Sequence, residues 1–388
     1  MNKLIIVLLC FGFAWAQHDV IKISQKYTGS HYTGLALSNG GVYLDESNVY
    51  LIGKGAVFVQ PKLYPDRIEK IDINLKYSKY FLFNSILHDQ GRLIALYLGI
   101  DGRYYLCSIN MGGSDVLGPV SKHGVRGRMI RTKRGQYLQA GRYRPLYAKY
   151  LDLYDDESGT GPTELAISKF KELYEISDAF LLSFYNDSLD LVDSAAVIPL
   201  KGEAAEAYEA LYFSTPMDVD SSDNIYYVSH LDGYAMNRID SHRNRNKVYP
   251  LWNENFRPIP RSMTKDEAEA LNSESGMYSR VYALYADNKY ILTSFVQNNA
   301  TQKPTTGPYH IDIMTILGEQ VFSIVSNHPV VTKSPTDKIY FAVTVKGGWL
   351  EGDQLYLVGM RIKDVLNGLA EEHLIKAAIH RFEKSQSK

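Results

Sequence analysis

Residues 216–240 read PMDVDSSDNIYYVSHLDGYAMNRID. Short apolar, alternating runs are stopped twice by polar turn residues, at SSDN and again at LDGY. Alternation of this kind, punctuated by Asp, Asn, Ser and Gly, is the mark of antiparallel strands joined by tight turns. KVYPLW follows after one more polar tract, so the unit has four strands: STPMDVD, NIYYVSH, YAMNRID and KVYPLW. No other feature constrains the fold as much, because the unit recurs.

Residues 281–325 repeat it as VYALYAD, YILTSFVQN, YHIDIMTI and QVFSIVS. Residues 85–120 give SILHD, RLIALYLG, RYYLCSIN and DVLGPV, and residues 34–83 give GLALSNGGVYLDE, NVYLIGKGAVFV, RIEKIDINL and KYFLF. Further units start near 125, 171 and 330, a period of about 50 residues. A four-stranded unit at that period is one blade of a β-propeller, which buries its faces only by stacking on its neighbours. The expected fold is all-β: a propeller of six or seven four-stranded antiparallel blades with short helical insertions. The residues themselves give seven units.

An exposed edge would remain unless the ring closes. The segment HDVIKISQKY, residues 18–27, alternates apolar and polar residues and offers the strand that closes it. AAIHRFEK near the C-terminus has the pattern of YAMNRIDS and reads as a third strand, leaving the fourth place of the last blade to the N-terminal segment. Helical insertions are expected near 201–212, 264–273 and 363–373; in the second, Thr264 and Glu267 have the spacing of a capping box.

Ahead of this lies MNKLIIVLLCFGFAWA, with Lys3, an apolar stretch and a small-x-small site at Ala14-Trp15-Ala16. It reads as a signal peptide cleaved near Ala16, with residues 17–388 forming one domain in a secreted or periplasmic, cell-envelope setting. No later apolar run is long enough to span a bilayer. Cys107 is the sole cysteine after the leader, so no intrachain disulfide can form. The net charge of −1 gives no basic surface for nucleic acid. The 30 tyrosines suit half-buried strand positions.

The stretch 216–240 resembles the NHL-type propeller repeat. Pro216, Asp220, Asn224, Ile225, Tyr226, Val228, Arg238 and Ile239 stand where that repeat has these types; Asp223 replaces its usual Gly and Ser229 its usual Asp. With its leader, the whole chain is similar to exported six-bladed bacterial propellers, and the resemblance implies six blades. Some related propellers hold a divalent metal such as calcium in the channel and hydrolyse lactones or esters. No cofactor is expected from this chain's own motifs. DVDSSDN lacks the Gly and Glu of a calcium loop and reads as a backbone-capping turn.

No catalytic motif is present. The loops that lead into first strands, and those joining second to third strands, share one face of a propeller. They hold His31, Arg126, Arg142, Arg144, His230, Tyr278, Arg280, His310 and His328. A cationic mouth of this kind would recognise an anionic ligand. The expected function is an exported binding or interaction module for a small ligand or a protein. A metal-dependent hydrolase or lyase and a cell-envelope scaffold are the alternatives.

Overall fold

The computed structural model describes residues 18–24, 41–53, 56–72, 82–89, 92–98, 104–110, 129–143, 179–198, 202, 215–229, 233–243, 246–258, 264, 266–267, 278–298, 308–346 and 353–386. Strand β1 is Asp19–Lys22. The first sheet is β2 (Val42–Leu44), β3 (Asn48–Gly53), β4 (Ala56–Pro61) and β5 (Glu69–Asp72). Next come β6 (Leu82–Asp89), β7 (Arg92–Leu98) and β8 (Tyr104–Asn110), then β9 (Met129–Arg131), β10 (Tyr137–Tyr143), β11 (Ala179–Tyr185) and β12 (Leu191–Ile198). The following sheet is β13 (Met217–Val219), β14 (Ile225–Val228), β15 (Ala235–Ile239) and β16 (Asn246–Pro250). After it stands β17 (Tyr278–Ala286), β18 (Tyr290–Asn298), β19 (Tyr309–Thr315) and β20 (Gln320–Ser326). The last strands are β21 (Val330–Lys333), β22 (Lys338–Val345) and β23 (Gln354–Arg361), followed by helices α1 (Ile362–Leu366) and α2 (Glu372–Gln386).

Every strand pairing among the described residues is antiparallel, and five sheets have four strands in meander order, with β1 completing the last as β1-β23-β22-β21. The chain is a β-propeller. The expectation of six or seven four-stranded blades is corrected to five; the sheet β6-β7-β8 has three strands among the described residues. The expected units at 125–170 and 171–200 are one blade, because β10 pairs with β11 across the long connection between them. NVYLIGKGAVFV, read as one strand, is the hairpin of β3 and β4. The fourth strand expected at DVLGPV and the leader lie outside the described residues.

The sheets follow one another around a ring. Strand β2 touches β6 and β21, β6 touches β9, and β17 touches both β13 and β21. Apolar cores fill the seams between neighbours. One joins Ile21, Val42 and Leu51 to Val331 and Leu357; another joins Leu138 and Phe184 to Met217 and Tyr227. This explains why inner strands are apolar on both faces. All four residues of β14 are buried, whereas outermost β20 alternates exposed Val321, Ser323 and Val325 with half-buried Phe322 and Ile324.

Ring closure follows the expectation. β1 pairs with β23 from Asp19↔Gly359 to Lys22↔Tyr356. The Tyr340 hydroxyl donates to Asp19 Oδ2 at 2.6 Å, and Lys338 stands 3.5 Å from the same carboxylate. On the other side, Gln60 of the first blade accepts the Ser24 amide at 2.8 Å and donates to the Lys22 carbonyl at 2.7 Å. AAIHRFEK is not a strand. It lies in α2, whose buried Ile375, Ala378 and Ile379 follow helical spacing and whose Glu383 accepts from Lys22 and Tyr356. The third strand of the last blade is β23. Of the expected insertions, 363–373 contains most of α1 and the start of α2, and the Thr264–Glu267 capping box is formed, with the Glu267 amide donating to Thr264 Oγ1 and the Thr264 amide to Glu267 Oε2. Among residues 201–212, only Gly202 is described.

Gly359 makes this closure possible. A Cβ there would lie 2.5 Å from Tyr340 Cε1, across the β22–β23 pair, and Tyr340 is fully buried with its hydroxyl held by Asp19. Gly359→Ala is expected to lower unfolding free energy by about 1–3 kcal/mol in a urea titration; an unchanged midpoint would show that Tyr340 can move.

Candidate functional site

The turns between first and second strands are built by short polar side chains that bond the backbone just ahead of them. Asp45 accepts the amides of Ser47 and Asn48, Asp220 those of Ser222 and Asn224, and Asp287 those of Lys289 and Tyr290. Thr132 and Ser334 do the same for Gln136 and Lys338. Asx and Ser/Thr side chains are suited to this because they mimic a backbone acceptor. The turn reading of DVDSSDN is therefore the one formed, and Asp223 accepts the Lys133 amide of the neighbouring blade.

Buried tyrosines on second strands complete the device. Tyr50 donates to Asp45 at 2.7 Å and Tyr226 to Asp220 at 3.0 Å. Tyr137 donates to Asp89 at 2.6 Å, at the end of β6, and accepts from Arg92 at 3.0 Å. Burial, then Asp89, pushes the Tyr137 hydroxyl up to about 12. Burial and their carboxylate partners likewise raise Tyr50, Tyr226 and Tyr340. Burial would raise Asp45 too, but its bonds from Tyr50, Asn48 and Ser47 outweigh that and hold it below the ordinary carboxylate value. Many tyrosines are thus turn-holding donors at the blade ends.

A cavity of about 570 Å³ at one end of the channel is lined from β2, β6, β9, β13 and β21 and from the turns that follow β9, β13 and β21. Its wall carries Arg131, Lys133 and Lys333 together with Asp218, Asp220 and Asp337. Most of these charges are committed. Lys333 Nζ donates to Asp218 Oδ2 at 2.6 Å and to the Ala286 carbonyl at 2.7 Å, and Asp218 accepts the Ala286 amide at 2.9 Å. Three inner strands of consecutive blades are tied at that point. Arg131 pairs with Asp89 and lies 3.6 Å from Asp187. Asp220 is spent on its turn and Tyr226. Lys133 and Ser221 are exposed, and the Asp337 side chain is 50% exposed, 3.8 Å from Lys333.

The described residues among those singled out from the sequence do not line this cavity. His31, Arg126, Arg144 and His230 are outside the described residues. Arg142 stands near the far end of β10 from its turn. Tyr278 and Arg280 begin β17, at the opposite end from Ala286. His310 is buried and stacks on Phe295 at 4.7 Å, and burial lowers its pKa. His328 precedes β21, again at the other end of that strand from Lys333, and lines a second cavity beside the first turn of α2. The described members of the set thus stand at blade ends remote from the channel cavity. Among the described residues, no three His, Cys, Asp or Glu side chains come together to hold a metal, and no helix is long and apolar enough to cross a membrane.

No protein-family model matches the sequence, and no characterised protein matches it significantly. Among solved structures, the chain is similar to a TolB from Agrobacterium tumefaciens, at 10% identity over 89% of this chain and 98% of the other, with a TM-score of 0.45. It is also similar to the AfRom2 CNH domain (10% identity, 84% and 95% covered, TM-score 0.37) and to the N-terminal domain of Nup159 (7%, 82% and 75%, TM-score 0.36). These likenesses are distant, and the propeller assignment rests on the sheet order.

Two outcomes are expected. Lys333→Met strands the buried Asp218 carboxylate and should destabilise the ring by about 3–5 kcal/mol. Adding Asp218→Asn should restore part of the loss, a coupling read from a double-mutant cycle; strictly additive losses would mean the pair is not formed. Separately, burial holds His328 below its ordinary value of 6.5, with Lys376 adding to the fall and Glu372 opposing it. As pH drops below 6.5, the unfolded chain takes a proton that the folded chain refuses, so stability falls. The unfolding midpoint of His328→Gln should fall less steeply with acid than that of the parent chain; parallel slopes would contradict the burial argument.

Proposed function

We propose that this chain is an exported propeller that binds a small polar ligand at the turn-lined end of its channel. The observation that carries the reading is the cavity itself: inner strands from five sheets and turns from three of them contribute to one space. Side chains fixed on strands and capped turns lose little freedom on binding, which favours recognition over flexible capture. The volume falls within the ~300–1,000 Å³ usual for small-molecule sites. Export is supported by the leader-like stretch ending at Ala16.

The test is a thermal-shift screen of the chain from Gln17 onward against sugars, amino acids, carboxylic acids and divalent cations with EDTA controls. A ligand at 100 times its Kd stabilises the folded state by about 2.7 kcal/mol. We expect a polar small molecule to raise the midpoint, and Ser221→Trp, at the exposed rim, to abolish the shift without lowering the unliganded midpoint. A shift that needs a divalent cation alone and ignores Ser221→Trp would overturn the reading in favour of the metal-dependent hydrolase.

A further inference from the structure

Resting on the reading that the channel cavity is the ligand site, we infer that its ligand is a neutral saccharide. The wall is electrically balanced: Arg131, Lys133 and Lys333 face Asp218, Asp220 and Asp337. Arg131 and Lys333 are already paired with carboxylates, and Asp218 and Asp220 with donors. An acidic ligand would meet one uncommitted cation, Lys133, and the carboxylate of Asp337. An amine would meet the reverse. Neither gains a net attraction.

What remains exposed suits a polyol. Lys133 only donates, the Asp337 carboxylate accepts while standing 3.8 Å from Lys333, and the Ser221 hydroxyl does both. They stand on the turns of three different blades. Sugar hydroxyls also donate and accept, so each can meet a complementary partner. The fourth element is Tyr43 on β2, a half-buried ring that lines the cavity and packs against the cluster of Leu87, Met129 and Tyr137. An aromatic face carries partial negative charge and suits the C–H face of a pyranose. Burial, then Asp45 and Asp89, push the Tyr43 hydroxyl up to about 12, so it remains a donor at neutral pH. Val42 and Val219 add apolar wall.

The experiment is calorimetric titration of the mature chain with neutral mono- and disaccharides, the matching uronic acids and free amino acids, at low and high salt. We expect a neutral saccharide to bind with a Kd that salt does not change, and Tyr43→Leu to weaken it about five- to tenfold. Asp337→Asn, at a half-exposed turn, should weaken it as well, and covers the case in which the Tyr43 variant does not fold. Uronic acids binding in preference, with a salt-dependent Kd, would overturn the saccharide while leaving the channel site standing. No saccharide binding of either kind would also overturn it. Saccharide binding that survives Ser221→Trp would remove the channel reading together with the inference.

Discussion

The pairing of the first described strand with the last is the contact on which the rest of the ring depends. β1 and β23 join residues more than 330 positions apart, Asp19 with Gly359 among them. A propeller left open would present two sheet faces and an unpaired strand edge to water. The closing strand is held from both sides, by Tyr340 and Lys338 in the last blade and by Gln60 in the first. α2 adds a third anchor through Glu383. These bonds are individually modest, each about 0.5–1.5 kcal/mol. Their effect comes from acting on one short strand whose apolar residues, Ile21 and Ile23, fill the seam between the same two blades.

Closure also sets the channel. With the last blade docked against the first, Lys333 reaches Asp218 two blades back along the ring, and Tyr43 on β2 lines the same cavity as residues of neighbouring β21. Five of the described turns share a device, a short polar side chain bonding the next amides, and at Asp45 and Asp220 a buried tyrosine hydroxyl also donates to the same carboxylate. Rigid turns hold Lys133, Ser221 and Asp337, from three blades, at the wall of one cavity.

Much of the fold could be read from the residues. The strands of 216–250 and 281–325 form where alternation and turn residues place them, and the closing segment lies where the need for a covered edge predicts it. The blade count went astray where local pattern misleads. LYAKYLDLYD alternates like a strand, yet β10 takes β11 as its partner, and only long-range pairing decides that. AAIHRFEK is too short for alternation to be told from a helical stripe; the burial of Ile375, Ala378 and Ile379 reveals the helix. The channel cavity was illegible for a different reason. Its groups sit at the ends of first strands and in capped turns, where the local pattern reads as ordinary strand and turn, and their convergence exists only in the closed ring.

The most direct test of the account is therefore to remove the closing strand. A chain beginning after residue 24 should unfold at a clearly lower temperature than the chain from Gln17, and a synthetic peptide spanning residues 17–24 should restore the midpoint in a concentration-dependent way. An unchanged midpoint without the strand, or a peptide with no effect, would contradict the claim that β1 holds the ring together.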